Sequence, residues 1–323
     1  MTGHSTHPGR RTRGRRLVAG VVALFTLAGL TACANREQAA DPGATSSAPT
    51  STSAFPVEVS VPGGRPVRLE KKPQRIVSLS PTTTEMLYAV GAGKQVVAVD
   101  KLSNHPAEAP RTELSGFNPN VEAVAGQTPD LVVASDDRNN LVSGLAAVKV
   151  PVLLLPAATT LDGTAEELRA LGRATGHAAE ADEAARGMRS EIEKIVRDTP
   201  KPARQLSYYH ELDSKLYSVT SKTFIGQVYA MFGLRNIADA ANSAAGDYPQ
   251  LSAEHVVNAN PDLVFLADLE TPQAVAARPG WQGVTAVQRG HVVSLDPDTA
   301  SRWGPRVVEL VRQVAAAVAK AGK

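Results

Sequence analysis

Two stretches, EAVAGQTPDLV at Glu122–Val132 and EHVVNANPDLV at Glu254–Val264, decide the fold of this 323-residue chain. At a constant offset of 132 they share six of eleven residues: the Glu, a Val, the Pro-Asp-Leu and the final Val. Each follows a cap candidate, Asn120 or Ser252, whose side chain suits the first free N–H groups of a helix. That puts Glu122 and Glu254 in a first helical turn, where the macrodipole alone stabilises an acid by about 0.3–1 kcal/mol. Both stretches then read as a short helix, a turn at Pro129 or Pro261, and an apolar strand. Repetition at fixed spacing, in halves of similar size, predicts a duplicated α/β unit.

Working outward, short Val/Leu/Ile-rich runs recur at Arg75–Leu79, Val96–Asp100, Leu131–Ser135 and Val152–Leu155. They return at Gln205–Tyr209, Leu216–Thr220, Leu263–Ala267 and Val292–Leu295. Alternating with helical stretches, they predict parallel sheets covered on both faces. A fainter echo at offset 142 pairs Val77–Ser80 and Gly91 with Val219–Lys222 and Gly233: strand, hydroxyl-rich loop, then a helix closing on glycine. Between the two sets lies the charged, Ala/Leu/Glu/Arg-rich segment Asp162–Asp198. Gly172 and Gly176 end a first helix near Thr175, a second runs over Ala178–Asp198, and Pro200 and Pro202 close it. At 1.5 Å per residue the second helix spans about 30 Å, enough to bridge two lobes. The expected fold is α/β: two lobes with parallel sheets joined by a long bridging α-helix.

The first residues carry an address. Arg10, Arg11, Arg13, Arg15 and Arg16 form a basic region without an acid, and Leu17–Leu30 is almost wholly apolar. A bilayer-spanning helix needs about 20 residues, so this shorter run fits a signal peptide, exported by a general or a twin-arginine route. Leu30-Thr31-Ala32-Cys33 resembles the lipobox of bacterial lipoproteins, which implies a lipid on Cys33 and anchoring to the outer face of the cell membrane. Cys33 is the chain's only cysteine and has no disulfide partner; a thioether to lipid removes an otherwise exposed thiol. The Pro/Ser/Thr-rich stretch that follows cannot bury enough apolar surface to order itself and reads as a tether. The expected layout is signal peptide 1–32, lipidated cysteine and tether 33–56, N-terminal lobe 57–160, interlobe helix region 161–202 and C-terminal lobe 203–323. Without the leader's five arginines, 29 of the 34 basic residues face 32 acidic ones, about −3 in all, which gives no basis for nucleic-acid binding. A monomer is expected.

A cleft between two such lobes removes a ligand from water on both sides and holds it with a few polar groups. The loops at the C-terminal ends of the strands face it. By position these supply Ser80, Thr82, Thr83, Phe117, Asn118, Arg138, Tyr208, His210, Tyr217, Tyr248, Arg302 and Trp303 as ligand-binding candidates. Ser80–Thr84 opens a helix, so its hydroxyls either receive an anionic group of the ligand or simply cap the helix. Aromatic residues are only 4% of the chain. Trp303 and the three tyrosines can offer flat faces with a polar handle, or they pack internally. Trp281 reads as lobe packing.

Enzymatic signatures are missing. Gly91-Ala-Gly-Lys94 lacks the preceding glycine and following hydroxyl of a phosphate-binding loop, since Tyr88 and Gln95 stand there. There is no nucleophile elbow. His105, His177, His210, His255 and His291 are scattered, with no His-rich loop for a bare zinc or manganese ion. No catalytic residue, metal or cofactor is expected. A surface hydrolase and a free-metal receptor remain the alternative classes.

RIVSLSPTTTEMLYAVGAGKQVVAVD (75–100), NPNVEAVAGQTPDLVVAS (118–135), SVTSKTFIGQVYAMFGLRNIADA (218–240) and YPQLSAEHVVNANPDLVFLAD (248–268) together resemble the solute-binding proteins of cobalamin, ferrisiderophore and haem importers. The resemblance covers about Pro73 to Val311 in the family's order. It implies two Rossmann-like lobes on a rigid helix, closing slightly on a ligand delivered to an ABC-type permease. It also implies that Glu122 and Glu254, one on each lobe tip, meet arginines on two permease subunits. The ligand it implies is a corrinoid or an iron chelate (ferric siderophore or haem). SLSPTTTEM and YPQLS lean to the first, while Arg138, Arg302, Arg306, His210 and Glu211 suit an anionic chelate. The tryptophan that cobalamin receptors carry near Phe117 and Asn118 is absent.

Overall fold

In a computed structural model, the structure describes residues 55–241 and 246–323. The expected leader, Cys33 and most of the tether lie outside the described residues. Among the described residues no helix is long and apolar enough to cross a membrane.

The chain opens with an antiparallel pair, β1 (Val57–Val59) and β2 (Val67–Leu69). There follow β3 (Ile76–Ser78), α1 (Pro81–Ala89), β4 (Val96–Val99), α2 (Val121–Ala125), β5 (Leu131–Ala134), α3 (Leu141–Ala147) and β6 (Val152–Leu154). Two long helices come next, α4 (Leu161–Thr175) and α5 (Ala178–Asp198). The second half holds β7 (Ser207–Glu211), α6 (Phe224–Ala230), β8 (Arg235–Asn236), α7 (Ala253–Ala259), β9 (Leu263–Leu266), α8 (Pro272–Ala276), α9 (Thr285–Gln288), β10 (Val292–Ser294), α10 (Pro297–Ser301) and α11 (Val307–Ala321).

Two separate four-stranded sheets form, both wholly parallel. The first runs β4-β3-β5-β6 and the second β8-β7-β9-β10. Strand for strand the order is the same, so β5 and β9, which carry the two repeat strands, occupy equivalent central places. The caps match as well: Asn120 accepts from Ala123 N–H and Ser252 from His255 N–H. So do the aspartates of the two Pro-Asp turns. Asp130 accepts the N–H groups of Gln74 and Arg75 at 2.8 Å, tying its turn to the entry of β3. Asp262 does the same to Ser207 N–H, at 2.8 Å, at the entry of β7.

Every residue of β5 and β9 is buried, as a sheet covered on both faces requires, and successive side chains enter different cores with period two. Leu131 and Val133 of β5, and Leu263 and Phe265 of β9, join a core cluster shared by both halves. Val132 and Ala134 turn instead to a smaller cluster under α3, and Val264 and Leu266 to one around Trp281. The shared cluster also takes Ala181, Ala185, Met188 and Ile192, the single buried stripe of α5. That helix begins and ends where the punctuation places it, after Gly176 in the left-handed region (φ 72°) and before Pro200. Arg169–Asp182 at 2.9 Å ties α4 to α5.

Two expectations fail. Leu216–Thr220 is not a strand: Leu216 takes φ 66°, and only an isolated antiparallel bridge joins Tyr217 to Gln250. The apolar signal there came from Val219, buried as a loop residue. The strand half of the fainter echo fails with it, although α1 and α6 are both followed by a positive-φ glycine, Gly91 and Gly233. In the second half a loop, 212–223, is inserted between strand and helix.

Candidate functional site

All four strands of the first sheet empty their C-terminal ends into one cavity of about 650 Å³. Leu79 and Ser80 follow β3, Asp100 follows β4, Ser135 and Asp136 follow β5, and Pro156 and Ala157 follow β6. The opposite wall is the segment Asp298–Trp303, which leaves the second sheet after β10. Cavities of about 610 and 430 Å³ lie elsewhere, but their linings precede the strands: Pro73, Pro129 and Pro151 in one, Arg204–Leu206 and Gly233 in the other. In parallel α/β sheets ligands gather at the carboxyl ends.

The N-terminus of α1 points into this cavity. Ser80 is its N-cap residue, Pro81 follows at the first helical position, and Ser80, Pro81 and Thr82 all line the wall. Thr83 and Thr84 do not. Thr83 Oγ1 donates to the Ser80 carbonyl at 3.0 Å and pairs with Ser78 Oγ at 2.8 Å, while Thr84 Oγ1 lies 2.8 Å from Ser103 Oγ. The hydroxyl run therefore divides, two residues facing the cavity and two holding the loop that shapes it. Gly116 forms part of the floor because any side chain there would collide with the Leu79 carbonyl.

Every cation of the lining is already engaged. Arg302, 7% exposed, donates to Glu85 at 2.6 Å, to Asp298 at 2.7 Å and to Asn104 Oδ1 at 3.0 Å. Because Glu85 belongs to α1, this network ties the first half directly to the segment after β10. Arg138 chelates Asp136 through Nε at 2.8 and 3.0 Å, and its guanidinium stands 5.4 Å from the ring centre of Phe117. Asp100 is buried, and that burial pushes its carboxyl pKa up despite the Ser103 hydroxyl 2.5 Å away. The remaining lining is apolar surface, hydroxyls and one amide.

A model of the periplasmic binding protein family matches residues 76–299. The chain belongs to the periplasmic binding protein family. It is 30% identical to the uncharacterized ABC transporter substrate-binding lipoprotein YvrC of Bacillus subtilis, over 93% of this chain and 96% of that one. It is 33% identical to a cobalamin-binding protein of Halobacterium salinarum, over 81% of this chain and 73% of the relative. Among solved structures, the periplasmic vitamin B12 binding protein BtuF of Vibrio cholerae superimposes with a TM-score of 0.64 at 26% identity, covering 78% of this chain and 98% of that one.

For this binding protein, the cavity gathers Ser80, Thr82, Phe117, Arg138, Arg302 and Trp303 from the sequence candidates. Asn118 sits just outside, its side-chain oxygen accepting from Asn139 at 2.7 Å. The candidates from β7 are elsewhere. Tyr208, 1% exposed, packs on Tyr229 with ring centres 4.2 Å apart. His210 is fully buried against the Tyr229 hydroxyl at 2.7 Å, and burial pushes its pKa down to about 3, so it brings no positive charge near neutrality. Both residues lie within β7 itself, and every side chain of that strand, covered on both faces, enters a core rather than the loop. Glu211 is likewise committed, to Arg278 at 2.6 and 2.7 Å, and Arg306 to Glu85 and Glu309. Tyr217 and Tyr248 are exposed but line no part of the cavity. Trp281 packs in the second half's core, 4.9 Å from the Arg278 guanidinium.

Asp100, Asn104 and Asp298 were missed. The position of Asp100, just past a strand, was available as a signal; Asn104 and Asp298, 2.6 Å apart from opposite ends of the chain, offered none. Glu122 and Glu254 are both exposed in first helical turns, and neither enters a salt bridge among the described residues. Among those residues no group of three or more His, Cys, Asp or Glu stands together to hold a metal ion.

Proposed function

We propose that this chain is the extracytoplasmic receptor of an ABC importer and that its ligand is a corrinoid, held between the strand ends of the first sheet and the Asp298–Trp303 segment. The observation that carries the ligand is the state of the lining. Its two arginines are paired with carboxylates of the protein, and among the described residues no His, Cys, Met or Tyr stands in the wall. A haem needs cations for its propionates and an axial donor for its iron; an anionic ferric chelate needs free positive charge. A corrinoid brings its metal enclosed in its own macrocycle and presents apolar faces and neutral amides. Phe117 and Trp303 suit the faces, and Ser80, Thr82 and the α1 N-terminus suit the amides and the single phosphate of a nucleotide-bearing corrinoid. The names of the cobalamin- and B12-binding relatives support the same choice. One observation favours a ferric chelate instead: the Arg138 side chain is half exposed, and its guanidinium lies beside the cavity mouth.

The lobes, on this reading, are residues 57–160 and 203–323, with 161–202 as the strut. Glu122 and Glu254 meet a two-fold permease through equivalent corners. Cys33 carries the lipid, in keeping with the lipoprotein name of the Bacillus relative; two acyl chains hold where one does not. The role is capture and release, not turnover.

The test is calorimetric titration of the soluble form, beginning at Phe55, with cyanocobalamin, ferric hydroxamate and catecholate chelates, and haem. Stoichiometric binding of cyanocobalamin, at least about tenfold tighter than any iron compound, is the expected result. Preference for an iron chelate would transfer the site to the alternative, and chemical turnover of any ligand would end the receptor reading.

A further inference from the structure

Behind the cavity wall lies a carboxyl that ligand capture, as described so far, does not use. Glu167 is on the buried face of α4 and is 4% exposed. One turn earlier, Thr164 donates its hydroxyl to the Trp303 carbonyl at 2.8 Å, so α4 already grips the residue whose side chain forms part of the wall. Trp303 Nε1 and Glu167 Oε2 are both buried, and neither has a hydrogen-bond partner among the described residues. The indole stands near enough to favour the ionised carboxylate, but the alignment falls short of a hydrogen bond. A buried polar group left unpaired destabilises a fold by about 1–3 kcal/mol. Two of them lie together beside the cavity, where a hydrogen bond between them would satisfy both.

We propose that Glu167 is a positioning residue of this site: acting through the Trp303 indole, it sets the ring's attitude toward the ligand and makes capture depend on the proton its carboxyl carries. The proposal rests on the cavity being the ligand site. It does not rest on which ligand enters.

The surroundings give that proton its importance. From α1 comes Glu85, held by Arg302 and Arg306. The segment 302–306 brings those two arginines, with Arg306 also paired to Glu309 of α11. Toward α4, α5 presents Ala181, Ala185, Met188 and Ile192, and its Asp182 is paired with Arg169. Glu58 of β1 is exposed. Among the described residues no cation is left to balance a charge at Glu167, and burial pushes its pKa up to about 8, opposed by the indole N–H. Near neutrality the carboxyl is uncharged and can accept from, or donate beneath, the ring. Above that range the carboxylate accepts more strongly from the indole N–H and draws the ring out of the attitude it holds over the neutral acid.

The experiment uses the full chain, purified in detergent and labelled with 5-fluorotryptophan. It has two tryptophans, hence two fluorine resonances, and Trp303→Phe assigns them. Without ligand, the Trp303 resonance should titrate with a midpoint near 8 while that of Trp281 does not follow it. Glu167→Gln should flatten the titration. In parallel, cyanocobalamin affinity should fall about tenfold between pH 7 and pH 9 in the parent, lose that dependence in Glu167→Gln, and fall at all pH values in Glu167→Ala. A Trp303 titration that survives in Glu167→Gln, or none in the parent, overturns the proposal. So does a clean titration with no pH dependence of binding. Failure of cyanocobalamin to bind at any pH, with the fluorine titration intact, counts against the corrinoid reading and leaves the Glu167–Trp303 coupling supported.

Discussion

The two halves of the body share strand order, helix caps and the Pro-Asp turn that ties one strand to the next, yet they meet the cavity differently. In the first half, all four strand ends open into it. In the second, the end of β7 is closed by its own side chains: His210 under Tyr229, and Glu211 clamped by Arg278. The loop 212–223 then detours before α6. Among the described residues, the Asp298–Trp303 segment is what the second half brings to the cavity. What the halves share is what builds a sheet, because strand pairing and turn chemistry tolerate little change. They differ in the loops, which are solvated and contribute least to the core.

The comparison can be broken most severely at Glu122 and Glu254, the proposed docking corners. If the halves are equivalent there, Glu122→Ala together with Glu254→Ala abolishes uptake of the ligand by whole cells while its affinity for the purified receptor stays put. Each single substitution should cause a partial and similar loss. Unimpaired uptake in the double variant would refute the role.

Next in size is the contrast between two buried ion pairs. Removing one partner from such a pair destabilises a fold by about 3–5 kcal/mol, so Arg302→Met and Arg278→Met should both lower the urea midpoint sharply. Only Arg302→Met should also weaken binding, since Arg302 lies in the wall and Arg278 does not. Equal effects on affinity would erase the asymmetry.

The aromatic contrast is smaller. Trp303→Ala should reduce affinity about thirtyfold, as for a contact worth about 2 kcal/mol. Tyr217→Ala and Tyr248→Ala should stay within about twofold, as for exposed residues away from a site. A tyrosine effect as large as that of Trp303 would put the second half's loops back in the cleft.

The gentlest test concerns pH. Glu167 ionises near 4.5 when the chain is unfolded and near 8 when folded. Between those values the unfolded chain binds fewer protons, so stability falls as pH rises through the window and levels off above it. Glu167→Gln should remove that slope, gaining up to about 2–4 kcal/mol at pH 8 and nothing at pH 4. A parallel shift at both pH values would contradict the buried acid.

How far the sequence reached follows the same divide. The bounds of α5, the two capped repeat helices and seven of the ten strands were legible, since glycine, proline and apolar periodicity act locally. β1 (Val-Glu-Val) and β2 (Val-Arg-Leu) each carry a charge at the centre and β8 is only Arg235–Asn236, so none offered a continuous apolar run, and Leu216–Thr220 misled because an apolar loop residue looks like a strand residue. Counting outward from strand ends led to Ser80, Thr82, Phe117, Arg138, Arg302 and Trp303, which line the candidate cavity. Tyr208 and His210 lie away from the cavity because they still belong to β7, whose side chains are buried on both faces. Asn104–Asp298 and Glu167–Trp303 join residues far apart in the chain, and no local pattern announces such contacts.

Hydrogen exchange with and without cyanocobalamin tests the central claim most directly. The account predicts slowed exchange at Leu79–Thr82, Gly116–Phe117, Ser135–Arg138 and Asp298–Trp303. Protection confined to the 212–223 loop and the residues around Tyr248, with those four segments unchanged, would contradict it.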